Sequence, residues 1–410
     1  MLDLPKGFTY KIISKKGDKM SDGFYVPGRA DGMATFKIDD HRMILIRNHE
    51  ISDGEKGVSS AFGENYELVN QLKDSDFYDK GVNSVPADGG TTTIVYNTKT
   101  QKIEKESLSL AGTLRNCAGG ATPWNTWLTC EEIILNKGGK FEKDHGYVFE
   151  VPASEEICLA KPEPILDMGR FNHEAVAVDP ISNAIYLTED DSQGLLYRFL
   201  PNTPSKLLDG GRLQALKVKE TTSFDSRNWE TNSVKIGEQL EVEWMDLADF
   251  DIHHEELRLH VYEAGATRFA RGEGMWYGNG CVYFACTNGG ANKKGQIWQY
   301  KPSEAEGTVA EVNNPGILEL FVEPNDGSVI ENADNLTVAP WGDLIVCEDG
   351  PDTNYLLGVT PEGEVYKFAR NNMSSSEMAG ATFSPDGTTL FMNMQEDGLT
   401  VAITGPWKKI

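Results

Sequence analysis

The chain has 410 residues, and its 63 acidic and 38 basic side chains give a formal net charge of −25. A surface this acidic excludes nucleic acid and anionic membranes as default partners, because both are bound by clustered Lys and Arg. The 39% hydrophobic content and 41 glycines indicate a folded, turn-rich protein, and no run of about 18 apolar residues predicts a membrane span.

The cysteines and the first residues leave the cellular compartment open. Six cysteines are spread along the chain without a CxxC pair, so neither a zinc ribbon nor a dense disulfide framework is predicted. The segment Met1 to Pro5 lacks the basic and apolar regions of an export signal.

One sequence unit recurs six times in chain order, and it is the main signal for the fold. Each copy has a small or acidic residue, a short apolar strand, a turn, a second apolar strand and a polar or acidic end. The copies lie near residues 31–50, 118–132, 173–191, 273–289, 334–349 and 379–397. Turns such as Asn279-Gly280 and Asp386-Gly387 join the two strands at hairpin distance.

Further strands are predicted after each copy. Third strands follow glycines at Gly89, Gly146, Gly194, Gly295, Gly358 and Gly398. Fourth strands are predicted at 241–247, 316–322 and 364–370, and the polar segment 201–240 is predicted to be a loop on one face. Because the apolar strand 7–14 has no partner nearby, we expect it to pair with the last repeat and close the ring.

This pattern predicts an all-β fold, a six-bladed β-propeller that residues 1–410 form as a single domain. Its ring is closed by N- and C-terminal strands, and its active-site face carries loop insertions. An all-β sandwich with coincidental turn spacing is the alternative fold.

Acidic and amide side chains collect at the strand ends that a propeller brings to one mouth of its channel. These acidic and amide side chains are Asn48, Glu50, Glu131, Glu132, Glu174, Glu189, Asp190, Asp191, Glu273, Glu331, Asp334, Asn335, Glu348 and Asp349. Any one of them alone is typical of a solvated surface. Converging carboxylates, however, repel one another and have raised pKa values unless cations neutralise them, so the set predicts bound metal such as calcium.

Cys117 differs from the other cysteines because it lies in a Gly-rich turn, RNCAGGATPW, and not inside an apolar strand. A thiolate among carboxylates indicates a transition ion beside calcium. His49 and His173 each precede a glutamate, and strand alternation lets one member of each pair face the channel. We interpret the glutamates as ligands, whereas the histidines either support those ligands or serve the fold alone.

Arg271 precedes Glu273 by two residues in ARGEGMW, so the two side chains share one side of an extended segment. A guanidinium beside a metal-binding carboxylate suits a substrate anion. An ordinary ion pair with a neighbouring acid also fits this spacing.

In these segments the sequence resembles the PhoX family of bacterial alkaline phosphatases. The similarity covers almost the whole chain, through LIRNHE, GGTTTIVYNTKT, LRNCAGGATPWNTWLTCEE, FNHEAVAVDP, YLTEDD, ARGEGMWY, ENADNLTVAPWGDLIVCEDG and SSSEMAGATFSPDG. The resemblance implies a six-bladed propeller that holds Fe³⁺ and Ca²⁺ at its channel mouth. It also implies hydrolysis of phosphate monoesters in the periplasm or the extracellular space.

The resemblance also implies roles for individual residues. The family's bridging cysteine matches Cys117, and its iron-binding glutamates match Glu132, Glu174 and Glu273, the last shared with calcium. Its phosphate-binding arginine matches Arg271. The residues that match only as members of family motifs, and are implied calcium ligands, are Glu50, Asp334, Asn335, Glu348 and Asp349. The family's second basic phosphate ligand, a lysine, has no counterpart in 108–114.

The expected partner is a small-molecule phosphomonoester, with no nucleic acid and no membrane, bound by a monomer. Because the sequence contains no GxSxG turn and no Ser-His-Asp order, we expect a nucleophile derived from the metal centre. Two alternatives remain open on the same architecture. One is a calcium-dependent lactonase, esterase or phytase-like hydrolase, and the other is a non-enzymatic calcium-binding scaffold.

Overall fold

The computed structural model describes residues 2–52 and 60–408. Two short strands, β1 (Leu2–Asp3) and β2 (Thr9–Lys15), open the chain. The strands that follow form six antiparallel units, which we number in chain order.

The units have the following strands. Unit 1 contains β3 (Ala30–Lys37), β4 (Arg42–His49), β5 (Gly89–Asn97) and β6 (Lys102–Thr113), and unit 2 contains β7 (Asn116–Ala121), β8 (Thr126–Glu131) and β9 (Val148–Pro152). Unit 3 contains β10 (His173–Val178), β11 (Ile185–Glu189), β12 (Leu196–Pro201), β13 (Gly211–Val218) and β14 (Gln239–Asp246). Unit 4 contains β15 (Gly272–Gly278), β16 (Cys281–Cys286), β17 (Gln296–Lys301) and β18 (Ile317–Val322). Unit 5 contains β19 (Ala333–Val338), β20 (Leu344–Glu348), β21 (Tyr355–Val359) and β22 (Val365–Asn371), and unit 6 contains β23 (Met378–Phe383), β24 (Thr389–Met394) and β25 (Leu399–Thr404).

Helical segments lie in the connections between strands. Within the described residues there is one α-helix, α1 (Leu257–Glu263), which follows unit 3. Short 3-10 segments are found at Val69–Gln71, Asp74–Asp76, Val82–Ser84, Leu166–Met168, Leu207–Asp209 and Val309–Asn313. No helix in this part of the chain has the length and apolar character that a membrane span requires.

Strands inside each unit are continuous apolar runs because neighbouring units pack on both of their faces. The second strand of unit 4, β16 (CVYFAC), is buried at every position, whereas the outer strand β18 alternates between buried and half-buried side chains. The turn between β15 and β16 has Asn279 and Gly280 at φ 53° and 74°, the left-handed conformations that a tight two-residue hairpin requires.

The six first strands form a closed ring. Each of β3, β7, β10, β15, β19 and β23 contacts the next in this order, and β23 returns to β3. Apolar side chains fill the space between adjacent units; Tyr96 of unit 1, for example, meets Phe391 of unit 6 edge to face at 5.1 Å. The structure is therefore mostly β and propeller-like.

The two ends of the chain contribute to the last units. Strand β2 pairs antiparallel with β25, from Thr9 opposite Thr404 to Lys15 opposite Leu399. This confirms the predicted pairing of the N-terminal strand with the last repeat. Strand β1 extends unit 5 by pairing with β22.

Some predicted elements differ from the structure. The segment 201–240 is not all loop, because its apolar residues form β13, the fourth strand of unit 3. Residues 241–247 therefore belong to an added fifth strand, β14, which pairs with β18 and joins units 3 and 4. The third strand of unit 5 starts at Tyr355 and contains Gly358 instead of starting there, and three strands form unit 2 in the described residues.

Candidate metal centre

Three positions repeat at one end of the first two strands in every unit. The entry position directly precedes the first strand, the second position is the second residue of that strand, and the exit position directly follows the second strand. The entry residues are Arg29, Arg115, Asn172, Arg271, Asn332 and Glu377, and the exit residues are Glu50, Glu132, Asp190, Thr287, Asp349 and Gln395. In all six units the exit N–H donates to the entry carbonyl, at 2.8–3.3 Å, so the two positions are held side by side.

The second positions are occupied by Asp31, Cys117, Glu174, Glu273, Asp334 and, in unit 6, Ala379. Each first strand has a register shift at this point, between Asn116 and Gly119 in unit 2, for example. Such bulges redirect a side chain out of the sheet ladder and recur beside functional sites. The repeat therefore brings one chemistry-bearing side chain from each of five units to the same place.

The first strands approach one another closely beside these bulges. A Cβ atom on Gly32 would lie 2.7 Å from the Cα of Ala118, and one on Gly274 would lie 2.6 Å from the Cα of Asn335. Contacts this short exclude a larger side chain unless the backbone moves. Glycine at these positions therefore sets the spacing of the acids beside them.

Nine possible ligand residues form a continuous chain at this mouth. They fall into four groups, each with its ligand atoms within 4.8 Å of one another. The groups are Asp31, Glu50 and Cys117; Cys117, Glu132 and Glu174; Glu174, Glu273 and Asp334; and Asp334, Asp349 and Glu377. Because consecutive groups share a member, the four potential metal positions adjoin. A separate, exposed group contains His254, Glu256 and His260.

Seven of the nine residues are candidates that the sequence analysis named, and two are additions. Asp31 occupies the position in unit 1 that Cys117 occupies in unit 2, and Glu377 occupies the position of Arg271. Aligning the six repeats residue by residue, instead of by strand pattern, would have identified both. Asp31 and Glu377 are acidic residues at the same repeat positions as Cys117 and Arg271, which the sequence analysis named.

Burial and mutual repulsion make this cluster unfavourable without cations. Burial, together with neighbouring carboxylates, raises the pKa of Glu132, Glu174 and Glu273. The pKa of Asp334 is raised to about 7, by burial and by the charge of Asp349. Burial and the charges of Asp31 and Glu174 raise the pKa of the Cys117 thiol well above its ordinary value. These groups can all ionise together only when cations replace their protons.

Unsatisfied atoms show where a cation would fit. Neither carboxylate oxygen of Glu174 accepts a hydrogen bond from a described N–H or O–H group, and one oxygen of Asp31 is likewise unpaired. The nearby Cys117 thiol is only a weak donor. Buried polar atoms without partners are costly, and a metal ion removes that cost by coordination. A donor set of carboxylates with one thiolate fits hard ions together with a transition ion.

A model of the family described as alkaline phosphatase PhoX matches residues 1–398. The chain belongs to this family. It is therefore an enzyme of the phosphomonoesterase class, and its family is metal-dependent. No curated protein matches the sequence at a significant level.

Two solved structures that match this PhoX family member have low sequence identity to it and TM-scores below 0.5. A gluconolactonase from Xanthomonas campestris is 11% identical, with 98% of this chain and 96% of that chain covered and a TM-score of 0.46. A virginiamycin B lyase from Staphylococcus aureus is 12% identical, with 97% and 99% covered and a TM-score of 0.38.

Arg271 is held at the mouth of this PhoX family member by two acids. Its Nε and Nη2 atoms donate to the two oxygens of Asp190 at 2.7 and 2.8 Å, and Nη2 lies 2.9 Å from Glu273. Both sequence interpretations are thus compatible with the structure, since Arg271 lies beside the ligand group and is ion-paired. Its side chain is 38% exposed and therefore open to a solute.

The two histidines, His49 and His173, make hydrogen bonds, and in one case a ring contact, away from the ligand groups. His49 bonds the Gly28 carbonyl and Thr92, and His173 bonds the Gly169 carbonyl and stacks on Phe171. Both imidazoles therefore lie outside the four ligand groups, whereas the adjacent glutamates lie inside them.

Glu348 is also outside the groups, whereas Asn335 directly follows Asp334, a member of two of them. Glu348 accepts the backbone N–H of Glu331 at 2.8 Å and of Tyr355 at 3.0 Å, so its oxygens fasten the connections around β20. Asn335 donates to Asp334 at 3.1 Å and accepts from Gly380 at 2.9 Å. The oxygens of Glu348 are thus used by backbone amides, whereas Asn335 is hydrogen-bonded to a member of the ligand chain.

Proposed function

We propose that this chain is an alkaline phosphatase that hydrolyses phosphate monoesters and releases inorganic phosphate at a centre of Fe³⁺ and Ca²⁺. The observation that carries the proposal is the continuous chain of nine ligand residues, which includes the buried Cys117 and two unpaired oxygens on Glu174. Membership in the PhoX family supplies the reaction class. The composition of the site supports the choice of ions.

The thiolate distinguishes the two kinds of position. Cys117, Glu132 and Glu174 would hold iron, because a transition ion accepts sulfur together with oxygen. Groups that contain only carboxylates would hold calcium, namely Glu174, Glu273 and Asp334, and Asp334, Asp349 and Glu377. Bound there, these ions would supply Lewis-acid chemistry, which polarises phosphoryl oxygens and stabilises the leaving oxygen.

The residues of the chain itself would bind and orient the ester. A phosphate dianion approaches a protein of net charge −25, so it needs concentrated positive charge at the mouth. Arg271 would supply a guanidinium to the phosphoryl oxygens, and its bidentate contact with Asp190 would fix the orientation of that group.

Further properties belong to the same proposal. The units would form a six-bladed propeller, one domain over residues 1–410, with its connecting loops on the active-site face. The protein would act as a monomer on a small soluble ester in the periplasm or the extracellular space. Asp31 and Glu50 would hold a further ion on the other side of the shared Cys117.

The direct test is metal analysis of the purified chain together with turnover of p-nitrophenyl phosphate. We expect iron and calcium in the same preparation, hydrolysis of the ester, and reversible inactivation by EGTA. Calcium without iron, with hydrolysis of gluconolactone and not of the ester, would identify a lactonase instead. No turnover after reconstitution with both metals, with unchanged stability of Cys117→Ser, would indicate a scaffold.

A substitution tests the role of Arg271. We expect Arg271→Ala to raise the Michaelis constant and the inhibition constant of phosphate about tenfold or more, because charge-assisted hydrogen bonds to the anion are lost. Arg212→Ala is the control, since Arg212 pairs with Asp246 on an outer strand and is exposed. Unaltered phosphate inhibition in Arg271→Ala would remove this residue from substrate binding.

A further inference from the structure

Three arginines occupy the entry position, in units 1, 2 and 4. Arg29, Arg115 and Arg271 have φ angles of 48°, 47° and 52°, the left-handed region that non-glycine residues rarely adopt. Their carbonyl groups accept the N–H of the exit residue at 2.8, 3.0 and 3.0 Å. The same backbone geometry therefore presents a guanidinium to the mouth three times.

Arg115 uses its guanidinium in the same way as Arg271. Its Nε and Nη2 atoms donate to Glu50, at 3.2 and 2.8 Å, and Nη2 also donates to Glu132 at 2.8 Å. Among described residues, no hydrogen bond engages Nη1 of either Arg115 or Arg271. In both residues the acids fix one edge of the fork and leave the Nη1 donors for another ligand.

Arg29 uses the opposite edge. Its Nη1 atom donates to Gln395 and to Glu396, each at 2.7 Å. The atom that remains for a ligand in Arg115 and Arg271 is thus already engaged by unit 6 in Arg29.

Unit 3 lies between the units of Arg115 and Arg271 and leaves space there. Its entry residue is the short, uncharged Asn172, which donates to the carbonyl of Asp190, the acid that holds Arg271. An open cavity of about 400 Å³ at this point is lined by Arg115, Glu132, Asn172 and Arg258, among others. Arg115 is 32% exposed and borders both this cavity and the ligand group of Cys117.

We propose that Arg115 is a second phosphate-binding residue, which donates to the phosphoryl oxygens from the side of unit 2 while Arg271 donates from the side of unit 4. The inference rests on the proposed function, because the anion it assigns is the substrate of that reaction. A phosphate monoester carries two charges over three oxygens, and two rigid guanidinium forks match that geometry better than one.

The test measures competitive inhibition by inorganic phosphate in the full chain loaded with iron and calcium. We expect Arg115→Met to raise the inhibition constant of phosphate about tenfold or more, with a matching rise in the Michaelis constant and unchanged iron and calcium content. Arg115→Lys, which keeps the charge but loses the fork, should give an intermediate value. The matched control Arg29→Met should stay within about twofold of the wild type.

The outcomes separate this inference from the proposed function. Unchanged phosphate inhibition in Arg115→Met, with normal metal content, would overturn the role of Arg115 while leaving the phosphatase intact. Loss of metal in both Arg115 variants would also overturn it, because Arg115 would then serve only as the counter-ion of Glu50 and Glu132. A wild-type chain that loads both metals yet hydrolyses no ester would instead refute the proposed function.

Discussion

Two regions of this molecule bury several carboxylates, but the charges around those carboxylates differ. Between units 3 and 4, Arg198 is 1% exposed and contacts Glu306 and Glu311, each at 2.5 Å, and Gln214 at 2.7 Å. At the channel mouth, Glu174 is fully buried, yet no described N–H or O–H group donates to its oxygens. The first region pairs its acids with its own cation, whereas at the mouth Arg115 and Arg271 pair with other acids and no described N–H or O–H donor reaches Glu174.

The difference shows why burial alone does not identify a functional site. A buried carboxylate that is hydrogen-bonded on all sides stabilises one arrangement of the fold. Glu306 belongs to this type, because Tyr186, Tyr300 and the Ser303 N–H all donate to it. Acids that share a site without such donors retain a large unfavourable free energy, which binding of metal converts into affinity.

The largest effect is expected when the sulfur ligand of the mouth cluster is removed. Cys117→Ala should lose iron and lower kcat by about three orders of magnitude, because a metal ligand and its transition-state stabilisation disappear together. Iron content per chain and turnover of p-nitrophenyl phosphate measure the effect. Cys281→Ala, at the hairpin end of β16, should retain iron. Normal iron content in Cys117→Ala would refute the thiolate assignment.

The next largest effect is expected when the buried network of Arg198, Glu306 and Glu311 loses a carboxylate. Glu306→Ala should lower the free energy of unfolding by about 3–5 kcal/mol, because it leaves the buried Arg198 without one of its two carboxylates. Urea unfolding measures the loss, and metal content should not change. Glu241→Ala removes an exposed ion pair with Lys219 and should have little effect. A loss no larger than that control would show that the network contributes nothing to stability.

A pH series on metal-free protein sharpens the comparison. The pKa of Asp334 is raised from 3.8 to about 7 in the folded chain, so the fold binds this proton more tightly than the unfolded chain does. The stability contribution is therefore complete at low pH and is lost as pH rises toward 7. Between pH 5 and pH 8 the loss from Asp334 is about 3 kcal/mol. Thermal unfolding after EGTA treatment measures it.

Two comparisons control this pH series. Asp334→Asn should reduce the decline, because it removes the titrating group, and added calcium should abolish it. An equal decline in the calcium-loaded and metal-free protein would show that the net charge of the whole surface causes the effect.

The smallest expected effect is that of a Glu→Gln change on the free energy of unfolding, and its sign differs between the two regions. In metal-free protein at pH 8, Glu174→Gln should raise the free energy of unfolding by about 1–2 kcal/mol, because it removes a buried acid that must either stay charged or take up a proton on folding. The same change at Glu306 should lower it. Denaturant unfolding of both variants measures the signs, and destabilisation by Glu174→Gln would contradict the account of the mouth.

The sequence predicted the regular parts of this molecule well. Six repeats, the first two strands of each unit and the pairing of 7–14 with the last repeat all follow from local apolar patterns, because each unit repeats one hydrophobic arrangement. The polar appearance of 201–240 concealed β13, whose burial depends on tertiary contacts with β12 and β14. The sequence thus shows that a strand exists more readily than it shows which strands pair with it.

The candidate site was predictable in its members and less so in their contacts. Residue type and repeat position identify Cys117 and Glu174, but nothing local shows that the oxygens of Glu348 are used by backbone amides. Likewise, the partners of Arg115 lie 17 and 65 residues away along the chain, and folding of units 1 and 2 against each other brings them together.

The distribution of ligands over the units has a consequence for how the enzyme matures. Every one of the four ligand groups takes members from at least two units, and the members span residues 31 to 377. A fragment that folds a single unit would thus hold no complete group, and only the full set of units brings all four groups together. Uptake of the full number of metal ions would then require all six units, so that an unfinished or cleaved chain would hold fewer ions than the complete one.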